Sequence, residues 1–90
     1  MYLLASKPYG TLYVGVTSNL AGRVNEHKGD LRDGFTKKYG VHHLVWFEEF
    51  AYIHDAILRE KRIKKWRRAY KIELIEKMNP RWDDLFPQII

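Results

Sequence analysis

The sequence predicts an α+β fold in which a small three-stranded antiparallel sheet is flanked by helices, in the order ββα–loop–βαα. Three short runs rich in aliphatic, β-branched and aromatic residues are typical of strands, at positions 2–5, 11–16 and 42–50. Between and after the strands, apolar residues recur at the three- and four-residue spacing of amphipathic helices. Because 90 residues suffice for one small core, we expect a single domain over 1–90.

The first two strands are predicted to form a hairpin around the sequence SKPYG, where proline and glycine favour a turn. Strict alternation in TLYVGV predicts that Leu12, Val14 and Val16 share one face of the sheet. Tyr13 and Gly15 then lie on the opposite face. Glycine inside a strand costs stability, so it marks either the close approach of a ligand or backbone, or a β-bulge.

The pairing of the hairpin decides which side chains are neighbours. If a four-residue loop pairs Ala5 with Gly10, Tyr2 lies directly opposite Tyr13, with the two Cβ atoms about 4.5–5.5 Å apart. Cross-strand aromatic pairs also stabilise sheets by packing, so this pair does not by itself indicate a function. A shift of one residue would separate the two phenols.

Three helices complete the predicted order. Ser18 or Asn19 can cap the first one, which follows the hairpin. The segment after it, KGDLRDGFTKKYG, is polar and punctuated by glycine, which predicts a loop with at most a helical turn. Further helices are predicted at 52–66 and 68–78, and we expect the tail at about 80–90 to pack back on them.

Composition narrows the class of protein. The chain has 16 basic and 11 acidic residues and a net charge of +5, which favours a polyanionic partner, although solvated surface charge explains it equally well. The absence of cysteine excludes a disulfide framework and a cysteine-ligated zinc site. No apolar run reaches the roughly 18 residues of a membrane span, so we expect a cytoplasmic protein with no membrane partner, monomeric by default.

Arg23 and His27 are four residues apart in the first helix and therefore share one of its faces. His27 also falls in the apolar stripe of Leu20 and Val24, where a histidine is usually a hydrogen-bonded core residue. The neighbouring Arg23 favours a functional role, because the planar, permanently charged donors of arginine suit phosphate oxygens.

Glu60 lies in the middle of an apolar helix face. At about 100° per residue it falls in line with Ile53, between Ala56 and Ile57. A carboxylate in such a position must be paired or hold a metal. The sequence leaves both open: an ion pair with a lysine or arginine, or Mg²⁺ bound by one carboxylate and water.

Together these features resemble the GIY-YIG nuclease superfamily. The resemblance is to its small stand-alone bacterial members, the YhbQ-like group, which is similar to the N-terminal domain of a bacterial excinuclease. The matching motifs, in order, are MYLL, LYVGVT, NLAGRVNEHK, ILREKRIKKW and EKMNPRWDDL. The residues at the family's positions are Tyr2, Tyr13, Gly15, Arg23, His27, Glu60 and Asn79. One departure is that only Met1 precedes Tyr2.

The resemblance implies a metal-dependent endonuclease that hydrolyses DNA to 5′-phosphate and 3′-hydroxyl products, in repair or processing of DNA. It implies one divalent cation, Mg²⁺ or Mn²⁺, held by Glu60, and an Arg23 that contacts the scissile phosphate. Tyr2 would orient the attacking water. Either Tyr13 or His27 would accept the proton of that water, and the sequence does not choose between them.

The resemblance also assigns supporting positions. Gly15 would let the nucleic-acid backbone approach the sheet, and Lys37 and Lys38 would contact phosphates. Asn79 would support the site from behind. The alternative hypothesis is a nucleic-acid-binding module with weak or no nuclease activity. DNA is the expected partner in preference to RNA.

Overall fold

The computed structural model describes residues 1–29 and 35–90, and for Phe35 and Thr36 it describes the backbone alone. The strands are β1 (Tyr2–Ala5), β2 (Leu12–Gly15) and β3 (His43–Phe47). The helices are α1 (Leu20–Lys28), α2 (Phe35–Tyr39), α3 (Ile53–Lys64) and α4 (Arg68–Met78), with a 3₁₀ turn at Phe86–Gln88. The predicted α+β fold is confirmed. The part of the predicted loop at 30–34 lies outside the described residues.

The three strands form one antiparallel sheet in the order β2-β1-β3. The central strand β1 is buried over its whole length. The edge strands are shorter than predicted, and β3 ends at Phe47 instead of continuing to Phe50. No helix in the described ranges is long and apolar enough to cross a membrane.

The predicted hairpin register is wrong by two residues. Tyr2 pairs with Gly15 and Ala5 with Leu12, so six residues connect the strands instead of four. The Ser6 amide donates to the Thr11 carbonyl at 3.0 Å, which closes this longer turn. Because side chains alternate with a period of two, a shift of two residues keeps every side chain on its predicted face.

Each face of the sheet therefore packs its own cluster of side chains. On one face, apolar residues of β1 and β2 pack against α3, α4 and the tail. That cluster is Leu3, Ala5, Val14, Val45, Trp46, Ile63, Ile75 and Trp82, with Met1 at its border. The other face packs against α1 and the end of the chain. Its buried members are Tyr2, Leu4, Val24, Val41, Leu44 and Leu85.

The predicted apolar face of α3 is only partly correct. Ala56 and Ile63 are buried as the helical spacing requires. Ile53, at the first residue of the helix, is exposed and lines an open groove with Glu49 and Phe50 instead. The helix therefore packs on the sheet through its middle and C-terminal turns, and this is the part that includes Glu60.

Asn79 fixes the tail to the sheet. Leu3 of β1 pairs with Trp46 and Leu4 pairs with Leu44, so a bulge in β3 leaves Val45 without a partner residue on β1. The Asn79 side-chain amide donates to the Val45 carbonyl at 3.2 Å. The same amide group donates to the Asp83 carbonyl at 2.8 Å and accepts from the Asp83 amide at 3.0 Å. Asn79 is buried, so these three hydrogen bonds satisfy a polar group that water cannot reach.

Asp84 provides a second anchor for the tail. Its carboxylate accepts from the backbone amides of Leu44 and Phe86, both at 3.1 Å, and forms an ion pair with Lys28 of α1. Burial acts to raise the pKa of Asp84, but the hydrogen bonds from Lys28 and from the two amides outweigh it and lower the pKa below its ordinary value. The tail thus joins α1 to β3.

The Asn79→Ala substitution is expected to lower the free energy of unfolding by about 1–3 kcal/mol, because it leaves the buried Val45 carbonyl without its donor. Urea unfolding followed by circular dichroism measures it. Asn25→Ala is the matched control. Asn25 is exposed on α1, where alanine is the better helix former, so this control should not destabilise. Equal destabilisation by both substitutions would contradict the structural role given to Asn79.

Candidate active site

Tyr2 lies almost completely buried in the central strand, with 1% of its surface exposed. Its ring is seated over the backbone of its cross-strand partner, Gly15. A Cβ atom at position 15 would fall 2.4 Å from Cζ and from the hydroxyl oxygen of Tyr2, which no real packing permits. Gly15 therefore makes room for the Tyr2 ring. The backbone just before Tyr2 is also fixed, because the Glu48 amide donates to the Met1 carbonyl at 2.9 Å.

Three of the predicted residues form a compact group, which we call the Tyr2–Tyr13–His27 cluster. The Tyr2 hydroxyl and His27 Nε2 are hydrogen-bonded at 3.2 Å. Ring centroids are 6.2 Å apart for Tyr2 and Tyr13, 6.0 Å for Tyr2 and His27, and 5.4 Å for Tyr13 and His27. Side chains that are 25 residues apart in the sequence thus meet on one face of the sheet.

The members of this cluster differ in their access to solvent. Tyr2 and His27 are buried, with 1% and 2% of their surface exposed. Tyr13 is half-buried, because β2 is an edge strand and leaves one side of the ring open. Tyr13 is therefore the member of the cluster that a ligand in solution can reach, while Tyr2 and His27 support it from within.

Arg23 is held one turn before His27 by the start of α1. Asn19 caps this helix, because its side-chain oxygen accepts from the Gly22 amide at 3.2 Å. The Arg23 side chain is 32% exposed, and its Nε lies 3.7 Å from a carboxylate oxygen of Glu26. A half-exposed ion pair of this spacing is weak, so the guanidinium remains available to an anion of higher charge.

Glu60 forms an ion pair with Lys64, one turn further along α3. The Glu60 side chain is only 13% exposed, whereas that of Lys64 is 58% exposed. The ion-pair alternative left open by the sequence is thus present. It also shows that a cation can reach this carboxylate from the solvent side, which is the access that a bound metal ion would need.

Glu60 is connected to the cluster through Lys64. Lys64 lines a shallow concavity of about 350 Å³ together with Tyr13 and Lys71, and the walls of this concavity include Leu12 and Val14 of the edge strand. Tyr13 and Lys64, the ion-pair partner of Glu60, thus line the same concavity at the β2 edge.

The protein itself offers few metal ligands in this region. Among residues 1–29 and 35–90, no three histidine, aspartate or glutamate side chains lie close enough together to hold an ion. A divalent cation at Glu60 would therefore take one carboxylate from the protein and its other ligands from water and substrate. Mg²⁺ is commonly bound in this way.

The remaining predicted residues lie apart from the cluster. Lys37 and Lys38 are on α2, where the Lys38 ammonium lies 5.4 Å from the centre of the Tyr39 ring. Asn79 lies at the β3 bulge and holds the tail. Sequence reasoning missed Lys64 and Lys71. The spacing of Lys64 four residues after Glu60 could have indicated their pairing, but the position of Lys71 beside Tyr13 depends on the tertiary fold.

Comparison with known proteins identifies the family of the chain. The sequence profile of the GIY-YIG catalytic domain matches residues 1–73. The chain belongs to the GIY-YIG family. That family consists of nucleases, which typically use divalent metal ions. Tyr2, Tyr13, Arg23, His27 and Glu60 all lie within the matched range.

The chain is also similar to small proteins of other bacteria that are named UPF0213 protein. It is 37% identical to one from Pediococcus pentosaceus over 74% of this chain and 70% of the relative. It is 37% identical to one from Clostridium perfringens, over 83% of this chain and 80% of the relative. It is 39% identical to a third, from Syntrophus aciditrophicus, over 78% of this chain and 80% of the relative. No solved structure matches the chain significantly.

The Gly15→Ala substitution is expected to destabilise the GIY-YIG protein by about 1–3 kcal/mol, because the added methyl group overlaps the buried Tyr2 ring. Thermal and urea unfolding measure this loss. Asn25→Ala is again the control, since Asn25 is exposed on α1. A Gly15→Ala protein as stable as wild type would show that the Tyr2 ring is not fixed over this glycine.

Proposed function

We propose that this GIY-YIG protein is a metal-dependent endonuclease that hydrolyses phosphodiester bonds in DNA and leaves 5′-phosphate and 3′-hydroxyl ends. The observation that carries the proposal is the Tyr2–Tyr13–His27 cluster, in which Tyr2 and His27 are hydrogen-bonded and the half-buried Tyr13 lies beside them on the edge strand. Two buried polar side chains arranged behind one accessible hydroxyl suit proton transfer better than they suit packing.

Tyr13 is the group that meets the attacking water. A free phenol has a pKa near 10, so it accepts a proton only when positive charge stabilises the phenolate. Arg23 from α1 and a cation beside Glu60 would supply that charge from two sides. Tyr2, buried and bonded to His27, positions the Tyr13 ring and orients the water through it.

His27 offers a route for the proton after Tyr13 has accepted it. Its ring centroid is 5.4 Å from that of Tyr13, and its Nε2 is already hydrogen-bonded to Tyr2. Because His27 is buried and Tyr13 is half-buried, Tyr13 is the better placed of the two to meet the attacking water. We therefore propose that both routes begin at the Tyr13 hydroxyl, with His27 accepting the proton from it in the second.

Arg23 and Glu60 act on the phosphate. The half-exposed Arg23 guanidinium would bind the non-bridging oxygens and stabilise the charge that grows on them during the attack. The Glu60 carboxylate would hold a divalent ion in place of the Lys64 ammonium. Such an ion, when bound, polarises the phosphate and stabilises the leaving 3′ oxygen.

The ion pair between Glu60 and Lys64 favours a second candidate function. If the ammonium keeps the carboxylate permanently neutralised, the protein binds nucleic acid and turns it over weakly or not at all. Saturating Mn²⁺ separates the two cases, because a metal ion competes with Lys64 only in the first.

Glu60→Gln and Arg23→Gln are each expected to lower plasmid nicking in Mg²⁺ or Mn²⁺ by about 10²-fold or more, since each removes charge stabilisation in the transition state. Nicking is followed by gel electrophoresis, and folding by circular dichroism. Glu73→Gln and Arg81→Gln remove the same charges from exposed positions on α4 and beyond it, and should nick at the wild-type rate. If the site variants match these controls, the proposed roles are wrong.

Tyr13→Phe is expected to lower the nicking rate by about 10²–10⁴-fold, the usual contribution of a positioned acid or base. Tyr52→Phe is its control, because Tyr52 is exposed at the start of α3. Initial rates across pH 6–10 provide a second readout. A Tyr13→Phe enzyme with undiminished activity and an unchanged pH profile would remove Tyr13 from the reaction.

A further inference from the structure

The positive charge of the chain is concentrated in one short segment. Positions 61–71, KRIKKWRRAYK, include seven basic residues and no acidic one. Because the whole chain has a net charge of +5, all other residues together have a net charge of −2. We call this segment, which joins the end of α3 to the start of α4, the basic elbow.

Most of this charge is exposed and uncommitted. Lys61, Arg62, Lys65 and Arg67 are exposed. Lys65 closes α3 and Arg67 precedes α4, so both lie at the bend itself. Within the part of the chain that the structure describes, these four side chains make no hydrogen bond or ion pair. Four exposed cations around one bend form a concentrated positive surface, which suits a polyanionic ligand.

One side of the elbow reaches the candidate active site. Lys64 and Lys71 line the concavity at the β2 edge together with Tyr13. The Lys71 ammonium lies 3.4 Å from the Lys64 carbonyl, which brings the two helices together at this point. The basic elbow therefore begins at the edge of the sheet to which Tyr13 belongs.

The elbow is also held in a fixed position relative to the hairpin. The Arg68 guanidinium donates to the carbonyls of Tyr9 and Gly10, both at 2.6 Å. The Tyr9 hydroxyl donates to Glu76 of α4 at 2.7 Å, and this hydrogen bond raises the pKa of Tyr9. The surface is thus preorganised, which reduces the entropy lost on binding.

We infer that the basic elbow binds the phosphate backbone of DNA and leads it along the β2 edge to Tyr13. This inference rests on the proposed function for the identity of the ligand. Lysine and arginine side chains on a preformed surface release condensed counterions when they bind phosphates, and this gives affinity without sequence preference. The elbow thus positions the DNA on one side of the cleavage site, and the Tyr2–Tyr13–His27 cluster acts on the phosphate where this bound stretch ends.

The test compares two double variants that each lose one arginine and one lysine. Arg67→Gln/Lys71→Gln alters the elbow. Lys77→Gln/Arg81→Gln removes the same charge at and beyond the opposite end of α4, where Lys77 lies about 15 Å along the helix from Arg67. Fluorescence anisotropy with a labelled duplex and a labelled branched DNA, in EDTA, gives the dissociation constant over a series of salt concentrations.

The elbow variant is expected to bind on the order of tenfold more weakly, equally for all sequences, and its salt slope should fall by about 1 for each phosphate that the protein no longer neutralises. The control variant should keep the wild-type slope. Equal weakening of both variants would overturn the inference, as would an unchanged elbow variant. Binding of the wild type to anionic phosphatidylserine vesicles but not to DNA would also overturn it.

Binding in EDTA separates this inference from the proposed function. If the wild type binds DNA through the elbow but cuts no substrate in Mg²⁺ or Mn²⁺, the nuclease proposal fails and the elbow stands. If the wild type cuts DNA but the two double variants bind DNA with the same dissociation constant, the inference about the elbow is wrong and the nuclease proposal stands.

Discussion

The packing of the Tyr2 ring on the Gly15 backbone is the constraint on which the candidate site depends. Only glycine fits there, since a Cβ atom would lie 2.4 Å from the phenol. This packing belongs to the observed register, in which Tyr13 is displaced from Tyr2 by two residues along β2. That displacement opens the space into which His27 reaches from α1, where its ring contacts both phenols.

The position of the cluster beside an edge strand explains how a largely buried group of polar side chains keeps one member accessible to solvent. Strand β1 holds Tyr2 in the interior, where its rotamer and its bond to His27 are fixed, while β2 presents Tyr13 to solvent. Helix α3 packs on the other face and brings Lys64, the ion-pair partner of Glu60, to the same edge. A rigid interior with one open side is the arrangement that positioned catalytic groups require.

Strand faces and helices were predictable from the sequence, whereas the pairing was not. Alternation in TLYVGV separates Tyr13 from Val14 whatever the register. The pairing itself depends on a six-residue turn in which Tyr9 has a left-handed φ of 58°, and the local sequence does not specify that. Helical spacing likewise marks Glu60 as unusual, but the position of its partner Lys64 beside β2 arises only when α3 packs on the sheet. Ile53 was predicted to lie on the buried face of α3 but is exposed, because the first turn of the helix extends past the sheet.

The central claim is that water attacks a phosphodiester at this edge and releases a 3′ oxygen. Cleavage of end-labelled DNA in H₂¹⁸O with Mg²⁺ or Mn²⁺, followed by mass spectrometry of the ends, tests it most directly. The account predicts 5′-phosphate ends that each contain one ¹⁸O atom, 3′-hydroxyl ends without label, and no product in EDTA. Ends with a 3′-phosphate, cleavage that persists in EDTA, or intact DNA under every divalent ion would contradict it.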